Sequence, residues 1–258
     1  MPVSIDLSGK VSIVTGSTRG IGKEIARVFG RAGGIPIINS RHQDDVRTVV
    51  RELEKENIQC WGAAADVSNS KEAETLVADV VERFGKIDIL VNNAGISNTK
   101  LGSSRIEEIT EEDWRAIIGT NLAGPFFMTK AALPHMKHKA GGVIINIVSE
   151  GYVYGTSSLS IAYTASKGGL VSFTRAMVRE TEGYDIRVNA ISPWHIRTEK
   201  VLGILAAKGI HDDFFKKNPL GKVGLPEDVA HCALFLASDY AKFIHGQVIS
   251  LNGGAGKL

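Results

Sequence analysis

Tyr163 and Lys167 have side chains and a spacing suited to proton transfer. They lie four residues apart in a segment of helical pattern, so both side chains fall on one face of the predicted helix. The ordinary pKa of tyrosine is about 10, and a nearby ammonium favours the phenolate, which makes the phenol usable as an acid or a base. Ser149 comes fourteen residues before Tyr163, at the end of a predicted strand, where its hydroxyl could hold a substrate oxygen near the phenol. The three residues predict acid–base chemistry at a carbonyl or an alcohol.

A glycine-rich turn follows the first predicted strand and opens the first predicted helix. The first glycine of such a turn permits a sharp bend, the second lets the backbone approach a pyrophosphate, and the third allows close helix packing. The N-terminal amides of the helix then hold the phosphates. The strand before it and the helix after it distinguish this turn from an ordinary helix cap. It predicts a dinucleotide site made by Gly16, Ser17, Thr18, Arg19, Gly20, Ile21 and Gly22.

The end of the second predicted strand indicates which dinucleotide binds. An acidic residue at this point binds the free 2'-hydroxyl of NAD and repels the 2'-phosphate of NADP. The chain has Ser40 and Arg41 there, and Arg19 adds a second cation in the glycine turn. Because a guanidinium offers a planar fork that matches a phosphate, the sequence favours NADP(H) as the cofactor, with NAD(H) as the alternative.

The glycine spacing, Thr-Gly-x-x-x-Gly-x-Gly, is the first of a series of motifs that continues along the chain. The others are Asp66-Val67, Asn92-Asn93-Ala94-Gly95, Asn121, the set Ser149, Tyr163 and Lys167, Asn189-Ala190-Ile191-Ser192-Pro193, and the segment from Pro219 to Ala230. With these motifs the sequence resembles the short-chain dehydrogenase/reductase family nearly from end to end, and it is similar to the 3-oxoacyl-(acyl-carrier-protein) reductases and carbonyl reductases. The resemblance implies a single-domain α/β Rossmann fold, with a doubly wound parallel sheet of seven strands and helices on both faces.

Residue roles follow from the resemblance. Hydride passes between the nicotinamide and a ketone or secondary alcohol, Ser149 polarises the substrate oxygen, and Tyr163 is the general acid or base. Lys167 also holds the nicotinamide ribose, and Asn121 positions a water that links the lysine to solvent, so these four residues form the implied catalytic tetrad. Tyr163 and Lys167 therefore count among the cofactor contacts as well. The other implied contacts are Asp66 and Val67 with the adenine, Asn93, Ala94 and Gly95 with the adenosine ribose side, and Pro193, Ile196 and Thr198 beside the nicotinamide.

The resemblance also bears on assembly and on competing functions. It implies a homotetramer that pairs through the helices carrying Asn121 and Tyr163 and through the C-terminal segment from Gln247 to Leu258. Two other functions fit the sequence: an NAD-linked alcohol or polyol dehydrogenase, and a nucleotide-sensing module that lacks chemistry. The complete tetrad argues against the second of these. An NADP preference favours reduction over oxidation, although the residues themselves do not set the direction.

Several residues near the predicted site depart from the family pattern or are candidates for substrate contact. Trp194 follows Pro193, where the family usually has glycine, and could narrow the pocket. Glu150 follows the catalytic serine, where small or apolar residues are common; we expect it at a solvated rim rather than on a substrate hydroxyl. Tyr152 and Tyr154 could supply hydroxyl donors on the opposite wall.

Residues 194–218 interrupt the strand–helix alternation and are the candidate substrate loop, because long insertions beyond the carboxyl ends of strands usually cover ligands. Arg197 lies in this loop. In one hypothesis, Arg197 binds a carboxylate, sulfonate or phosphate group of the substrate. The other, slightly favoured, has it point to solvent or pair with Glu199 or Asp213.

Strand-length apolar runs alternate with amphipathic stretches, a pattern typical of βαβ units and a parallel sheet. The predicted strands are 11–15, 35–39, 59–64, 87–92, 143–149, 186–191 and 247–251. The predicted helices are 20–32, 45–56, 71–84, 111–137, 162–182 and 226–238. Pro36 should lie at the first residues of its strand, since proline removes a ladder hydrogen bond. Residues 1–258 are predicted to form one domain.

Composition narrows the classes of function. The chain has 258 residues, of which 43% are hydrophobic, and its 30 basic and 28 acidic residues leave a net charge of +2. So small a charge predicts no nucleic-acid or membrane partner, which leaves small molecules and copies of the chain itself. The two cysteines and the His135–His138 pair show no metal-site spacing, so no metal is expected. With no stretch of signal-peptide or membrane-spanning type, the sequence predicts a cytoplasmic protein.

Overall fold

The computed structural model of the chain describes residues 4–97, 106–139, 141–154, 160–207 and 218–255. Within them, seven strands form one sheet. The strands are β1 (Val11–Val14), β2 (Ile35–Ser40), β3 (Trp61–Ala64), β4 (Ile89–Asn92), β5 (Gly142–Ile147), β6 (Ile186–Pro193) and β7 (Val248–Leu251). The α-helices are α1 (Gly20–Arg31), α2 (Gln43–Lys55), α3 (Ser70–Phe84), α4 (Glu111–Ile118), α5 (Gly124–Lys139), α6 (Gly151–Tyr154), α7 (Ile161–Glu180), α8 (Glu199–Ala207) and α9 (Pro226–Ala237).

The strands follow the order β3-β2-β1-β4-β5-β6-β7, and every neighbouring pair is parallel. The order reverses at β1, because the chain first adds β2 and β3 on one side and then β4 to β7 on the other. A crevice opens at such a reversal, beyond the carboxyl ends of the strands, and ligands of α/β sheets bind there. This order confirms the predicted doubly wound Rossmann fold.

Helices cover both faces of the sheet. One buried cluster joins α1, α2 and α9 to strand side chains such as Val14 and Ile38. The other joins α3, α5 and α7 to the adjacent strand residues Ile13 and Ile37. Because consecutive strand residues face opposite sides, a strand covered on both faces is an unbroken apolar run, which is the pattern the sequence shows.

Pro36 lies at the second residue of β2, as predicted. It pairs in register with Ser12 of β1, whereas β3 pairs with β2 only from Ile37 onward. The missing amide of Pro36 therefore removes no ladder hydrogen bond from the sheet.

Two predicted elements were wrong in detail. The helix expected over 111–137 is divided by a π-helical turn, Gly119–Ala123, between α4 and α5. The strand expected over 143–149 ends at Ile147, and Ser149 lies in the turn before α6, where its Oγ accepts a hydrogen bond from the Gly151 amide at 3.3 Å. Both differences lie in the segments that position the candidate catalytic residues.

The candidate substrate loop is partly regular. Trp194 to Thr198 run past the end of β6, Ile196 forms an isolated parallel bridge with Gly224, and α8 follows. Residues 208–217 lie outside the described residues, and with them Asp213, one of the predicted partners of Arg197.

Candidate active site

The glycine turn joins β1 to α1 in a conformation that requires glycine. Gly16 has φ +63°, and a Cβ there would lie 2.8 Å from the Cα of Ala94. A Cβ on Gly22 would lie 2.3 Å from Nδ2 of Asn93. Since real Cβ atoms do not approach other atoms so closely, larger residues at either position would push the turn away from the segment after β4.

The segment after β4 is bound to the glycine turn by hydrogen bonds. Asn93 donates from Nδ2 to the carbonyls of Thr15 and Gly16 at 2.9 and 3.1 Å. Thr15 Oγ1 accepts from the amides of Asn93 and Ala94, both at 3.0 Å. Asn93 and Ala94 therefore shape the cleft from behind as well as lining it. The sequence analysis missed Thr15, although a hydroxyl at the last position before the first glycine was a visible signal.

A cleft of about 620 Å³ opens at the carboxyl ends of β1, β2 and β4. It contains most of the predicted cofactor residues: Gly16, Thr18, Arg19, Gly20, Ile21, Gly22, Ser40, Arg41, Asp66, Val67, Asn93, Ala94, Gly95 and Thr198. Three others, Ser17, Pro193 and Ile196, are buried. Ser17 accepts from the Asn39 amide at 2.9 Å and donates to the Val14 carbonyl at 2.7 Å, so its hydroxyl fastens the turn to β1 and β2.

The cleft can hold an anion at two places. The N-terminal amides of α1 face it; within the described residues, Arg19 at the N-cap makes no side-chain capping bond, and the first turn has no acidic residue. Uncapped helix amides of this kind bind phosphate. Arg19 and Arg41 are exposed on the walls, and neither forms an ion pair with a described residue. A pyrophosphate with a further phosphate fits this donor set.

Ser149, Tyr163 and Lys167 meet at the same edge of the sheet, beyond β5. Tyr163 and Lys167 project from the first turns of α7, and Tyr163 shares a hydrogen bond with Ser149. Lys167 is buried; its Nζ donates to the Ile147 carbonyl at 2.7 Å and lies 5.8 Å from the centre of the Tyr163 ring. The predicted spacing thus brings the hydroxyl, the phenol and the amine together.

Asn121 is fully buried in the π-helical turn. Its Oδ1 accepts from the Ile96 amide and its Nδ2 donates to the Ile96 carbonyl, both at 2.9 Å, while Nδ2 also lies 3.1 Å from Ser166 Oγ. A Cβ on Gly95 would lie 3.3 Å from Asn121 Oδ1 and 3.6 Å from Lys167 Nζ. Asn121 and Lys167 therefore lie close to each other on either side of Gly95. Asn121, the fourth member of the predicted tetrad, is thus next to the other three.

Burial favours the protonated form of the Tyr163 phenol. Burial raises the pKa of Tyr163 above its ordinary value, and the hydrogen bond with Ser149 opposes this by a smaller amount. A protonated phenol bonded to a serine hydroxyl is arranged to donate a proton to an oxygen that both groups contact.

The structure separates the candidate substrate residues. The expectation for Glu150 was wrong, because its carboxylate is buried and accepts hydrogen bonds from Ser250 and Asn252 of the C-terminal segment. Tyr152 is half-buried, and nothing is described for the side chain of Tyr154. The role of these two tyrosines in substrate contact therefore stays a prediction.

Trp194 and Arg197 lie on the segment after β6. Trp194 stacks on His195 with 4.4 Å between ring centres, and burial lowers the pKa of His195. Arg197 is exposed, and its amide donates to the Gly224 carbonyl at 2.8 Å. The indole therefore has an aromatic neighbour within its own segment, and Arg197 is accessible to a charged ligand.

Among the described residues, no group of three or more His, Cys, Asp or Glu side chains could hold a metal ion. No helix in the described part of the chain is long and apolar enough to span a membrane.

Comparisons with known proteins agree with this geometry. Residues 16–256 match the family model described as enoyl-(acyl carrier protein) reductase. The 3-oxoacyl-(acyl-carrier-protein) reductase FabG of Thermotoga maritima is 35% identical over 248 residues, covering 96% of this chain and 98% of the relative. The 2-dehydro-3-deoxy-D-gluconate 5-dehydrogenase of Formosa agariphila is 34% identical over 251 residues, covering 96% and 93%.

Solved structures give the same result. A gluconate 5-dehydrogenase from Burkholderia cenocepacia, in complex with NADP and tartrate, superposes with a TM-score of 0.89 at 31% identity, covering 97% of this chain and 96% of that one. A putative short-chain alcohol dehydrogenase from Sinorhizobium meliloti superposes with a TM-score of 0.88 at 34% identity, covering 97% of both chains. With the sheet order, the glycine turn and these matches along nearly its whole length, the chain belongs to the short-chain dehydrogenase/reductase family of oxidoreductases.

Proposed function

We propose that this protein is an NADP(H)-dependent reductase of ketones, with Tyr163 as the general acid. The observation that carries the proposal is the hydrogen-bonded pair of Ser149 and Tyr163, with Lys167 beside it, at the same sheet edge as the glycine-turn cleft. A phenol that donates a proton and a cleft that accepts a dinucleotide are the two parts that carbonyl reduction needs.

The preference for NADP rests on charge. Arg19 and Arg41 line the cleft, and Ser40 stands at the end of β2, where NAD-binding sheets place an acid. The gluconate 5-dehydrogenase that superposes on this chain was crystallised with NADP. A 2'-phosphate would meet two guanidinium groups and no carboxylate at the end of β2.

Each member of the tetrad has one task in the proposed reaction. A nicotinamide held in the cleft would supply hydride to the substrate carbon. Ser149 donates a hydrogen bond to the carbonyl oxygen, and Tyr163 transfers its proton to that oxygen as negative charge develops there. Lys167 stabilises the resulting phenolate by its positive charge, and Asn121, through its contact with Ile96, holds the chain beside the lysine. Oxidation of the alcohol uses the same groups in reverse.

The substrate is proposed to carry an anionic group that Arg197 binds. The relatives include reductases of acyl-carrier-protein thioesters and dehydrogenases of sugar acids, and one neighbouring structure holds tartrate, a dicarboxylate. Arg197 is exposed on the segment after β6, which follows directly from the strand beside Ser149. An NAD-linked polyol dehydrogenase is the second candidate, favoured by the sugar-acid relatives.

We further propose that the protein is a homotetramer. Large apolar side chains are exposed on two separate surfaces. The helical surface of α4, α5 and α7 exposes Trp114, Phe126 and Ile161, and the C-terminal surface beside β7 and α9 exposes Phe235, Tyr240 and Phe243. Exposed apolar surfaces of this kind mark protein contacts, and two of them allow closed assembly with two kinds of twofold interface.

The test is a comparison of NADPH and NADH consumption with two probes, acetoacetyl-coenzyme A as a 3-oxoacyl thioester and 5-ketogluconate as a keto acid, each beside a neutral ketone of similar size. Faster turnover of an anionic ketone with NADPH supports the proposal. Arg197→Ala should then raise the KM of the anionic ketone about thirtyfold, the value of a charge-assisted hydrogen bond of about 2 kcal/mol, and leave that of the neutral ketone unchanged. Consumption of neither nucleotide, with both bound, would instead favour a nucleotide-sensing module.

A further inference from the structure

Glu150 is a buried carboxylate next to the catalytic serine. Its side chain is 1% exposed, and its oxygens accept hydrogen bonds from Ser250 Oγ at 2.8 Å and Asn252 Nδ2 at 3.3 Å. No described lysine, arginine or histidine forms an ion pair with it. Because an ion buried without hydrogen bonds is costly, this carboxylate depends on the two donors from the C-terminal segment.

These bonds join parts of the sheet that are not neighbours. Glu150 follows β5, whereas Ser250 and Asn252 belong to the end of β7, and β6 lies between them. The Glu150 amide also donates to the Pro193 carbonyl at the end of β6, at 3.1 Å. The turn that carries Ser149 is thus fastened to the ends of two strands.

The same C-terminal segment bonds to the first residue of the candidate substrate loop and to the chain just beyond its end. The Trp194 amide donates to the Leu251 carbonyl at 3.0 Å, and the Leu220 amide donates to the Gly253 carbonyl at 3.1 Å. Residues 250–253 therefore contact the serine turn through Glu150, the loop at Trp194, and the chain two residues after the loop.

We propose that Glu150 is a positioning residue, which holds the Ser149 hydroxyl at hydrogen-bonding distance from Tyr163 by tying the serine turn to Ser250 and Asn252. The proposal rests on the proposed reductase function. It concerns the site of that reaction, not a second activity.

The hydrogen-bond directions show what must stand at position 150. Asn252 Oδ1 accepts from the Gly254 amide at 2.9 Å, which fixes the side-chain amide with its Nδ2 toward Glu150. The side chain at position 150 must therefore present an acceptor to Asn252. A glutamine can do so with its oxygen and turn its NH₂ group to the Ser250 hydroxyl, which can accept, whereas an alanine removes both hydrogen bonds.

This geometry allows a test by exchange of donor and acceptor. Glu150→Ala removes both hydrogen bonds, and Asn252→Asp sets two carboxylates against each other. In the double variant Glu150→Gln with Asn252→Asp, the glutamine amide at position 150 can donate to the aspartate carboxylate at position 252, which still accepts from Gly254. We expect Glu150→Ala and Asn252→Asp each to lower kcat about tenfold, the value of one hydrogen bond to a charged group, and the double variant to recover most of the loss.

A matched control separates positioning from simple loss of stability. Asp88 is also a buried carboxylate, 4% exposed, but it lies at the amino end of β4, away from the site. Asp88→Asn should lower the thermal midpoint of unfolding and leave kcat unchanged. Affinity for NADPH, measured by its fluorescence, should be unchanged in all four variants.

The pH profile gives a readout that a structural role would not change. The Ser149 hydrogen bond lowers the pKa of Tyr163, so a displaced Ser149 should move the pH midpoint of alcohol oxidation to higher pH in Glu150→Ala, and the double variant should restore it. Acetoacetyl-coenzyme A and 5-ketogluconate with NADPH serve for kcat, and the corresponding alcohol with NADP for the profile.

The proposal is wrong if kcat of Glu150→Ala stays within about twofold of the parent, if the double variant is no better than the single ones, or if the midpoint does not move. If the parent turns over neither probe, the proposed function fails separately. The Tyr163 phenol is then titrated by ultraviolet difference against Tyr163→Phe: a midpoint raised in Glu150→Ala and restored in the double variant supports the positioning role, and an unchanged midpoint overturns it.

Discussion

At the scale of single residues, the candidate site combines a protonated phenol with groups that favour its deprotonation. Burial keeps the proton on Tyr163, whereas the Ser149 hydrogen bond and the nearby Lys167 amine favour the phenolate. In the proposed reaction, reduction uses the proton that burial retains, and oxidation needs the opposing groups. Removal of the phenol oxygen should therefore abolish catalysis without disturbing nucleotide binding, because Tyr163 does not line the cleft formed by the glycine turn.

Tyr163→Phe should lower kcat about a thousandfold, within the range that a positioned proton donor contributes, and leave the NADPH dissociation constant nearly unchanged. Tyr240→Phe, at an exposed tyrosine, is the control and should keep full activity. Single-turnover oxidation of NADPH with the better of the two probes measures the effect. Residual activity of Tyr163→Phe within about tenfold of the parent would show that another group supplies the proton.

Cofactor choice is also decided by single residues. Ser40→Asp combined with Arg41→Ala removes one partner of the 2'-phosphate and adds repulsion, so the ratio of kcat/KM for NADPH to that for NADH should fall about a hundredfold, or about 3 kcal/mol. Arg47→Ala removes a cation from α2 outside the cleft and should leave the ratio unchanged. A parent that already prefers NADH would contradict the prediction.

The residues that sequence reasoning could and could not assign differ in how local their signals are. Gly16, Tyr163 and Lys167 belong to short motifs, and the spacing within each motif is enough to predict which residues lie next to one another in the structure. Glu150 bonds to side chains 100 and 102 positions further along the chain. No local pattern connects these positions, and an acidic residue beside a site is exposed far more often than buried. Its burial could be known only from the packing of three strand ends.

At the scale of elements, apolar runs predicted every strand of the sheet and periodicity predicted the main helices, because burial on one or both faces leaves a repeating pattern. The π-helical turn leaves no such pattern. It inserts one residue into an otherwise continuous helix and carries Asn121, whose two hydrogen bonds with Ile96 depend on the fold. The end of β5 was misplaced because Val148 continues the apolar run.

The N-cap of α7 links helix stability to the site. Ser160 Oγ accepts a hydrogen bond from the Tyr163 amide at 3.2 Å, so Ser160→Ala should lower the free energy of unfolding by about 1 kcal/mol and reduce kcat several-fold. The matched control is Asn69→Ala. Asn69 caps α3, accepting from the amides of Lys71 and Glu72, and its loss should cost similar stability at constant kcat. Denaturant titration and steady-state rates measure both, and equal kcat losses in the two variants would contradict the link.

At the scale of the whole molecule, the two ends of the sheet have different tasks. The carboxyl ends carry the cleft and the tetrad, while the amino ends carry groups that hold the sheet together. Asp88 precedes β4 and accepts hydrogen bonds from the Val11 amide at 2.8 Å and from Lys139, with Lys86 at 3.2 Å. Burial by itself raises the pKa of Asp88, but the hydrogen bonds with Lys139, Val11 and Lys86 and the charge of Lys139 outweigh it and lower the pKa.

Stability should therefore depend on pH through Asp88. Because its folded pKa lies below the unfolded value of about 3.9, its contribution is complete above that value and is lost as pH falls through the folded pKa. Asp88→Asn should cost about 2 kcal/mol at neutral pH, and the difference from the parent should shrink below pH of about 4. Urea unfolding across this range measures it. A constant difference down to the acid transition would show that the charge of Asp88 contributes nothing.

Contacts between subunits would explain why large apolar residues are exposed on the surface of this chain. Phe126 is 46% exposed and packs edge-on against Phe127 and Phe173 on the helical surface, while Phe243 is fully exposed beside β7. A monomer would leave both surfaces in water at a cost of roughly 25 cal/mol per Å² of apolar area. Two distinct surfaces on one chain, each paired with its own copy about a twofold axis, produce a closed tetramer.

Phe126→Glu should break the helical interface and leave dimers held by the C-terminal surface, because a carboxylate cannot be buried there without a partner. Phe243→Glu should leave the other kind of dimer, and the two changes together should give monomers. Arg47→Glu alters an exposed residue of α2, which belongs to neither surface, and should leave the tetramer intact. Light scattering coupled to size-exclusion chromatography at micromolar concentration measures the mass of each form. A monomeric parent would contradict the tetramer, whereas a tetramer that survives Phe126→Glu would place the first interface somewhere other than α4, α5 and α7.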